Sequence, residues 1–193
     1  MTNVLILGAN GHLARNTIPV FLRTDVRLRL FLRKPARLKN PDPARAEVME
    51  GDVLDDEALT SAMQGQDVVY ANLAGPMAQQ AKNIITAMHA TGLKRLIFIS
   101  SMGIYDEVPG ERYRSILDPY RDSAALIEAS DLEYTILRPG WFKHDPGVNY
   151  KITRKGEPFS GHNISLDSLS HLIVELALTP GLYARESIGV SDR

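Results

Sequence analysis

The stretch Val4-Leu5-Ile6-Leu7-Gly8-Ala9-Asn10-Gly11-His12-Leu13-Ala14 decides the fold. Four apolar residues in a row suit a strand covered on both faces. Gly8 permits a tight turn directly behind them, and a helical pattern follows from His12 to Arg23. Pro19 falls inside that pattern and predicts a kink or a late start. A strand that turns through glycines into a helix leaves the first helical amides unpaired, with the helix dipole behind them, as a phosphate requires. Gly11 would let a pyrophosphate approach the backbone, and the small Ala14 would let helix and strand pack closely. The backbone of Asn10, Gly11, His12 and Leu13 would then face the phosphates. The plainer alternative is a strand-to-helix turn that binds nothing.

Outward from this turn, short apolar runs alternate with helical stretches. Val26 to Leu32 alternates leucine with arginine, a strand with one wetter face. Pro35, Pro41 and Pro43 bracket a loop with a helical turn at Ala36 to Lys39. Further strands are expected at Ala46 to Glu50, Asp67 to Leu73, Arg95 to Ser100 and Glu133 to Leu137. Helices are expected at Asp55 to Met63, Met77 to Thr91 and Tyr120 to Ala129, the last with Asp118 as N-cap and Pro119 at its first position. Beyond Gly140 the rhythm breaks. Trp141 to His162 is rich in Gly, Pro and charge, with one strand at Tyr150 to Arg154. Ser165 can cap a helix over Leu166 to Leu178, and Ile188 to Val190 makes a last short strand. Such alternation predicts an α/β fold, a parallel, doubly wound sheet with helices on both faces. The last 50 or so residues would cap its carboxyl edge, where ligands bind in such sheets.

Composition agrees with a folded protein. The 193 residues fit one domain, and 44% hydrophobic with 23% charged residues excludes wholesale disorder. Lys and Arg number 22 against 23 Asp and Glu, so the net charge of -1 gives no bulk reason to bind nucleic acid or anionic lipid. The absence of cysteine removes disulfides, thiolate metal sites and cysteine nucleophiles, and fits a reducing cytoplasm. Met1-Thr2-Asn3 lacks the basic start of a secretory signal, and no apolar run is long enough to span a membrane. A cytoplasmic protein, monomeric or homodimeric and acting on a small molecule, is the expectation.

About 20 residues after the glycines, an acid would accept the 2′-hydroxyl of NAD. The sequence has Leu32-Arg33-Lys34 there, with no carboxylate between Val26 and Pro41. Arg33 can grip a 2′-phosphate with two N–H groups and stack on adenine, which favours NADP over NAD. Alternatively Arg33 belongs to a solvated basic stretch running from Arg23 to Lys39. That stretch lacks the aromatic platforms of a nucleic-acid site, apart from Phe31. The five histidines show no metal-ligand spacing, so no metal site is expected. His144 could overhang a pocket as an acid or simply face water, and Trp141 and Phe142 could line a substrate wall or a core. Serine-hydrolase and nucleotide-triphosphatase motifs do not occur.

GANGHLA at 8–14, GDVLD at 51–55, NLAG at 72–75, FISSMGIY at 98–105 and YTILRPG at 134–140 come in a familiar order and spacing. In these motifs the chain resembles the atypical short-chain dehydrogenase/reductases of the NmrA-like, NAD(P)H-binding group, which includes flavin/biliverdin reductase B-like enzymes. The resemblance implies a three-layer Rossmann-type fold, one domain over residues 1–193 whose segment 141–180 forms a substrate-side lobe. It implies Asp52 and Val53 against adenine, with a turn or cap role as the alternative for Asp52. It places Leu73, Ala74 and Gly75 under the ribose and pyrophosphate, Ser100 and Ser101 near the nicotinamide, and Pro139 and Gly140 on the carboxamide side.

One departure bears on chemistry. Family members use Ser, Tyr and Lys, the last two spaced Tyr-x-x-x-Lys on one helical face, so that the Lys lowers the Tyr pKa. Here Ser101 holds the serine place and Tyr120 stands near the tyrosine place, as a catalytic group or as a plain aromatic. Four residues on stands Ala124, and no Lys occurs between Lys94 and Lys143. Transfer of a hydride to a flavin or quinone would survive this loss, since the acceptor can take its proton from water, whereas reduction of a simple ketone would suffer. Two functions are therefore expected. The first is an NADP(H)-dependent oxidoreductase acting on a flavin, quinone or conjugated carbonyl. The second is a non-catalytic NADP(H)-binding redox sensor acting through a protein partner.

Overall fold

The computed structural model describes residues 1–39 and 42–193. The apolar run found first is β1 (Thr2–Leu7), and it lies in the middle of an eight-stranded sheet. On one side it pairs in parallel with β2 (Val26–Leu32), which pairs with β3 (Ala46–Glu50). On the other it pairs with β4 (Val68–Ala71), followed by β5 (Arg95–Ile99) and β6 (Glu133–Pro139), all parallel. Two late strands complete the sheet: β10 (Glu186–Asp192) runs parallel to β6, and β8 (Tyr150–Arg154) runs antiparallel to β10 at the edge. The shorter β7 (Trp141–Lys143) and β9 (Asn163–Ser165) pair separately. This is the expected doubly wound sheet, with its order reversing at β1 and β4.

Alternation along β1 shows why the strand is apolar throughout. Val4 and Ile6 face a core shared with α1 (His12–Phe21) and α5 (Leu166–Leu178). Leu5 and Leu7 face a second core with α2 (Asp56–Met63), α3 (Met77–Thr91) and α4 (Asp118–Glu128). All four side chains are fully buried. Each residue of β1 therefore supports one of two layers, and burying one such side chain is worth about 1.5–3 kcal/mol.

Local chemistry sets the helix ends. Asp55 caps α2 through bonds from the Glu57 and Ala58 amides at 3.1 and 3.0 Å. Ser165 caps α5 as expected, accepting the Ser168 amide at 3.0 Å. Gly92, at φ +73°, ends α3 in the left-handed conformation that glycine adopts without strain.

Several sequence expectations need correction. Asp118 is not the cap of α4 but its first residue, after a 3-10 turn at Ser115–Leu117. Its carboxylate instead accepts the Tyr113 hydroxyl at 2.7 Å and pairs with Arg121 at 3.2 Å, partners that compete with a capping role. Pro19 does not delay α1, which starts at His12 and runs on to Phe21; the proline lies in the last turn. The helical turn after β2 covers Pro35–Arg37 rather than Ala36 to Lys39. Pro41 lies outside the described residues. The segment 141–162 holds β7 as well as the expected β8, and the final strand is longer than Ile188 to Val190.

Candidate cofactor and acceptor site

The glycine turn sits where the sheet order reverses, and its form follows from what crowds it. Gly8 has φ +76°, and a Cβ there would lie 2.1 Å from the Asn72 carbonyl oxygen. A Cβ on Gly11 would lie 2.3 Å from Asn72 Nδ2. The residue after β4 thus packs directly onto the turn, its main chain leaving room only for glycine at position 8 and its side chain filling the space beside Gly11. The amides of Gly8 and Ala9 donate to the Phe31 carbonyl at 3.0 and 3.3 Å, and the Gly11 amide donates to the Gly8 carbonyl at 2.9 Å. The amides of Asn10, His12 and Leu13 make no hydrogen bond among the described residues. Three N–H groups at the start of a ten-residue helix are thus free to donate to an anion.

A cavity of about 430 Å³ opens beside this turn. Its walls come from the carboxyl ends of four strands: Gly8, Asn10 and Gly11 after β1, Arg33 after β2, Asp52 and Val53 after β3, and Leu73 with Ala74 after β4. Eight of the residues singled out in the sequence therefore meet in one place. Gly75 stands next to this wall rather than in it, and the Leu13 side chain is buried in the core, so Leu13 can contribute only its amide. Arg33 is exposed at the rim, joined by Lys34 and Arg37. None of these three cations has an ion pair or a side-chain hydrogen bond among the described residues. Arg15 braces the corner, donating to Asn10 Oδ1 at 2.6 Å and to the Arg37 carbonyl at 3.3 Å. Asp52 forms a turn, its Oδ1 accepting the Leu54 amide at 2.9 Å, and it lines the cavity as well.

Three contributors escaped the sequence reading. Asn72 occupies the space that the two glycines vacate. Gln80 Nε2 donates to the Ala74 carbonyl at 3.1 Å, and Asn83 Nδ2 donates to the Val53 carbonyl at 3.2 Å. Both amides sit on the buried face of α3, so that helix holds two walls of the cavity in place. The available signal was a pair of amide side chains on an otherwise apolar helical face.

A second cavity, about 540 Å³, opens at the ends of β5 and β6. Ser100, Ser101, Tyr120 and Pro139 all line it, together with Trp141 and Phe142. Trp141 is 59% exposed and Phe142 41%, far more than core aromatics would be, which places them on a cavity wall and not in a core. The Ser100 amide donates to the Leu137 carbonyl at 2.7 Å and the Met102 amide to the Pro139 carbonyl at 3.2 Å, which clips the serine loop to β6. Ser101 Oγ donates to the Met102 carbonyl at 3.0 Å. The Tyr120 hydroxyl has no hydrogen bond among the described residues. One turn on, Ala124 is fully buried in the second core, so the position from which a lysine would act carries no charge. Arg121 points elsewhere, to Asp118 and Asp122, and lies over the Tyr113 ring at 5.4 Å.

A glycine turn with unpaired amides at the switch point of a doubly wound sheet, beside one cation-rimmed and one aromatic-walled cavity, suits a dinucleotide-binding α/β protein. A family model described as NAD(P)H-binding matches residues 8–180. The chain belongs to this NAD(P)H-binding family. A structure of a Rossmann-fold NAD(P)-binding family protein from Shigella flexneri is 43% identical, covers 100% of this chain and 94% of its own, and superposes with a TM-score of 0.89. A short-chain dehydrogenase/reductase from Veillonella parvula in complex with NADP is 26% identical over 99% of this chain and 94% of its own, also at 0.89. Among curated proteins, quinone oxidoreductase 2 of Escherichia coli is 26% identical over 147 residues, 74% of this chain and 50% of that protein. An isoflavone reductase homolog of Zea mays is 26% identical over 151 residues, 73% of this chain and 49% of that protein. The chain spans about half the length of these two curated relatives. No helix among the described residues is long and apolar enough to cross a membrane.

Proposed function

We propose that the protein is an NADP(H)-dependent oxidoreductase that passes a hydride to a small planar acceptor: a flavin, a quinone or a conjugated carbonyl. One observation carries this reading: the cations Arg33, Lys34 and Arg37, without an ion pair among the described residues, border the first cavity, while aromatic side chains border the second. The cations and the turn amides match a dinucleotide with an added 2′-phosphate, and a relative crystallised with NADP supports that choice. The bound dinucleotide supplies the hydride, and with one proton the acceptor gains two electrons. Arg33 would hold the 2′-phosphate, Asp52 and Val53 the adenine, and Leu73 to Gly75 the neighbouring ribose. Ser100, Ser101, Tyr120 and Pro139 would border the nicotinamide. The segment 141–180 would form the acceptor-side lobe, with Trp141 and Phe142 flanking a flat ring and excluding water.

Ala124 beside Tyr120 narrows the chemistry. With no lysine one turn on to assist the phenol, proton donation to an isolated ketone is disfavoured, while reduced quinones and flavins take protons from solvent. A relative named as a quinone oxidoreductase points the same way. The same missing lysine favours a second reading, an NADP(H)-binding sensor without turnover. Purified protein mixed with NADPH and a panel of flavins and quinones separates the two through the loss of nicotinamide absorbance. Turnover on a quinone or flavin is the expected result. Tight NADPH binding with no turnover on any acceptor would move the assignment to the sensor.

A further inference from the structure

Two imidazoles meet at the start of α1. His12 opens α1 directly after Gly11, and its ring centroid is 5.1 Å from that of His144, with the planes tilted by 33°. Both side chains are exposed, and neither ring makes a hydrogen bond or ion pair among the described residues. Gly11 borders the first cavity, and Trp141 and Phe142, just before His144, border the second.

The loop carrying His144 is fastened in place. Lys143 Nζ pairs with Asp145 at 2.8 Å and Asp192 at 2.6 Å. The Gly147 amide donates to Asp167 Oδ2 at 3.1 Å, and its carbonyl accepts Ser165 Oγ at 3.2 Å. Asp167 and Ser165 lie at the start of α5, and Ser170 on the same helix bonds Asn16 and Thr17 of α1 at 3.1 and 3.0 Å. The loop and the glycine-turn helix therefore share one base, and that base holds His144 over the start of α1.

A dinucleotide reaching from Arg33 to Ser100 has to carry its diphosphate across the start of α1. Each imidazole has a ring N–H to offer there, beside the unpaired amides of His12 and Leu13. We propose that His12 and His144 form a clasp on the diphosphate of the bound dinucleotide, with His144 bringing the loop after β7 onto the cofactor. The clasp rests on the NADP(H) reading above and adds a residue from the acceptor-side lobe to the cofactor site.

Calorimetric titration of His12→Ala, His144→Ala and the parent protein tests it, with NADPH and adenosine 2′-monophosphate as ligands. The monophosphate keeps the adenosine end and lacks the diphosphate. Each variant is expected to bind NADPH about tenfold more weakly, the loss of one hydrogen bond to a charged group, and to bind the monophosphate like the parent. His144→Asn, which keeps an N–H donor, is expected to recover part of the loss. Unchanged NADPH affinity, or an equal loss for both ligands, would overturn the clasp. A parent protein that binds neither ligand would overturn the NADP(H) reading itself, a distinct result. Thermal midpoints report whether each variant is folded.

Discussion

Arg138 and Glu107 form a buried ion pair, with Arg138 Nη1 2.5 Å from Glu107 Oε1 and side-chain exposures of 0% and 7%. The pair ties β6 to the loop after β5. Glu107 also accepts the amides of Gly103 at 3.0 Å and Tyr105 at 2.9 Å, in the segment that follows Ser100 and Ser101. Arg138 Nε donates to Ser187 Oγ at 3.1 Å, and its guanidinium lies 5.1 Å from the Tyr105 ring centroid. Removing one partner strands the other charge, so Arg138→Met is expected to cost about 3–5 kcal/mol in urea unfolding. Arg138→Met with Glu107→Gln should be less destabilised than Arg138→Met alone. A cost below about 1 kcal/mol for the single change would show that the pair adds nothing beyond packing.

Cofactor selectivity is expected to reside in Arg33. The guanidinium is exposed and has no protein partner among the described residues, so its removal disturbs no internal contact. Arg33→Ala should weaken NADP binding by about 1.5–3 kcal/mol, the worth of a charge-assisted contact, and leave NAD binding unchanged. Thermal shifts with each dinucleotide measure the difference. An equal effect on both would take Arg33 out of the 2′-phosphate role.

What the sequence made legible follows the range of the interactions involved. The run Val4 to Leu7 reads directly because both its neighbours are local in kind: an apolar layer on each face. The short β7 escaped because its partner, Asn163 opposite Trp141, lies far along the chain and three residues carry no period. The full length of β10 was hidden by its polar ends, Glu186 and Ser187 before the expected Ile188 to Val190 and Ser191 and Asp192 after it, residue types that carry little strand signal. In the site, residues marked by their own chemistry, such as Gly8, Arg33 and Asp52, could be named in advance. Asn72, Gln80 and Asn83 could not, because their parts depend on which backbone groups the fold brings to them.

The two turn glycines should fail differently. Gly8→Ala forces a side chain into a left-handed backbone and against the Asn72 carbonyl, which belongs to the main chain and cannot swing aside. A loss of at least about 1–2 kcal/mol from the backbone conformation alone is expected, with further loss from the clash. Gly11 has φ -64°, which alanine adopts freely, and its added methyl would meet only the Asn72 side chain and, at 3.2 Å, the Gly8 carbonyl. Gly11→Ala should therefore keep most of its stability while NADPH binding falls, as the displaced Asn72 amide and the new methyl intrude on the turn. Denaturation and binding measured on both variants check this contrast.

Acid should expose one surface cluster. Lys94 first, and His89 second, hold the Asp131 carboxyl at about 2, below its ordinary value of 3.8. The carboxylate lies 2.9 Å from Lys94 Nζ and 2.6 Å from His89 Nε2. Because the folded value is the lower one, the pairing stabilises fully above the ordinary value and fades as pH falls from about 4 to about 2. Asp131→Asn should lose this acid-dependent component, read as the difference between thermal midpoints of parent and variant across that window. A difference that stays constant with pH would show that Asp131 does not titrate as its partners imply.

Tyr120 is a candidate for proton transfer, and its setting predicts acceptor-dependent behaviour. Its hydroxyl borders the same cavity as Ser101, yet buried Ala124 occupies the place from which a lysine would act. A positioned general acid contributes about 10²–10⁴-fold to rate. Tyr120→Phe is expected to lower turnover on quinones and flavins by less than about tenfold, since those acceptors draw protons from water. A conjugated carbonyl, whose developing enolate gains more from a nearby donor, should lose more. Steady-state rates of NADPH oxidation on the three acceptor types measure this order. A uniform loss of a hundredfold or more would establish the phenol as an obligatory acid even without its cation, and would return simple ketones to the range of acceptors.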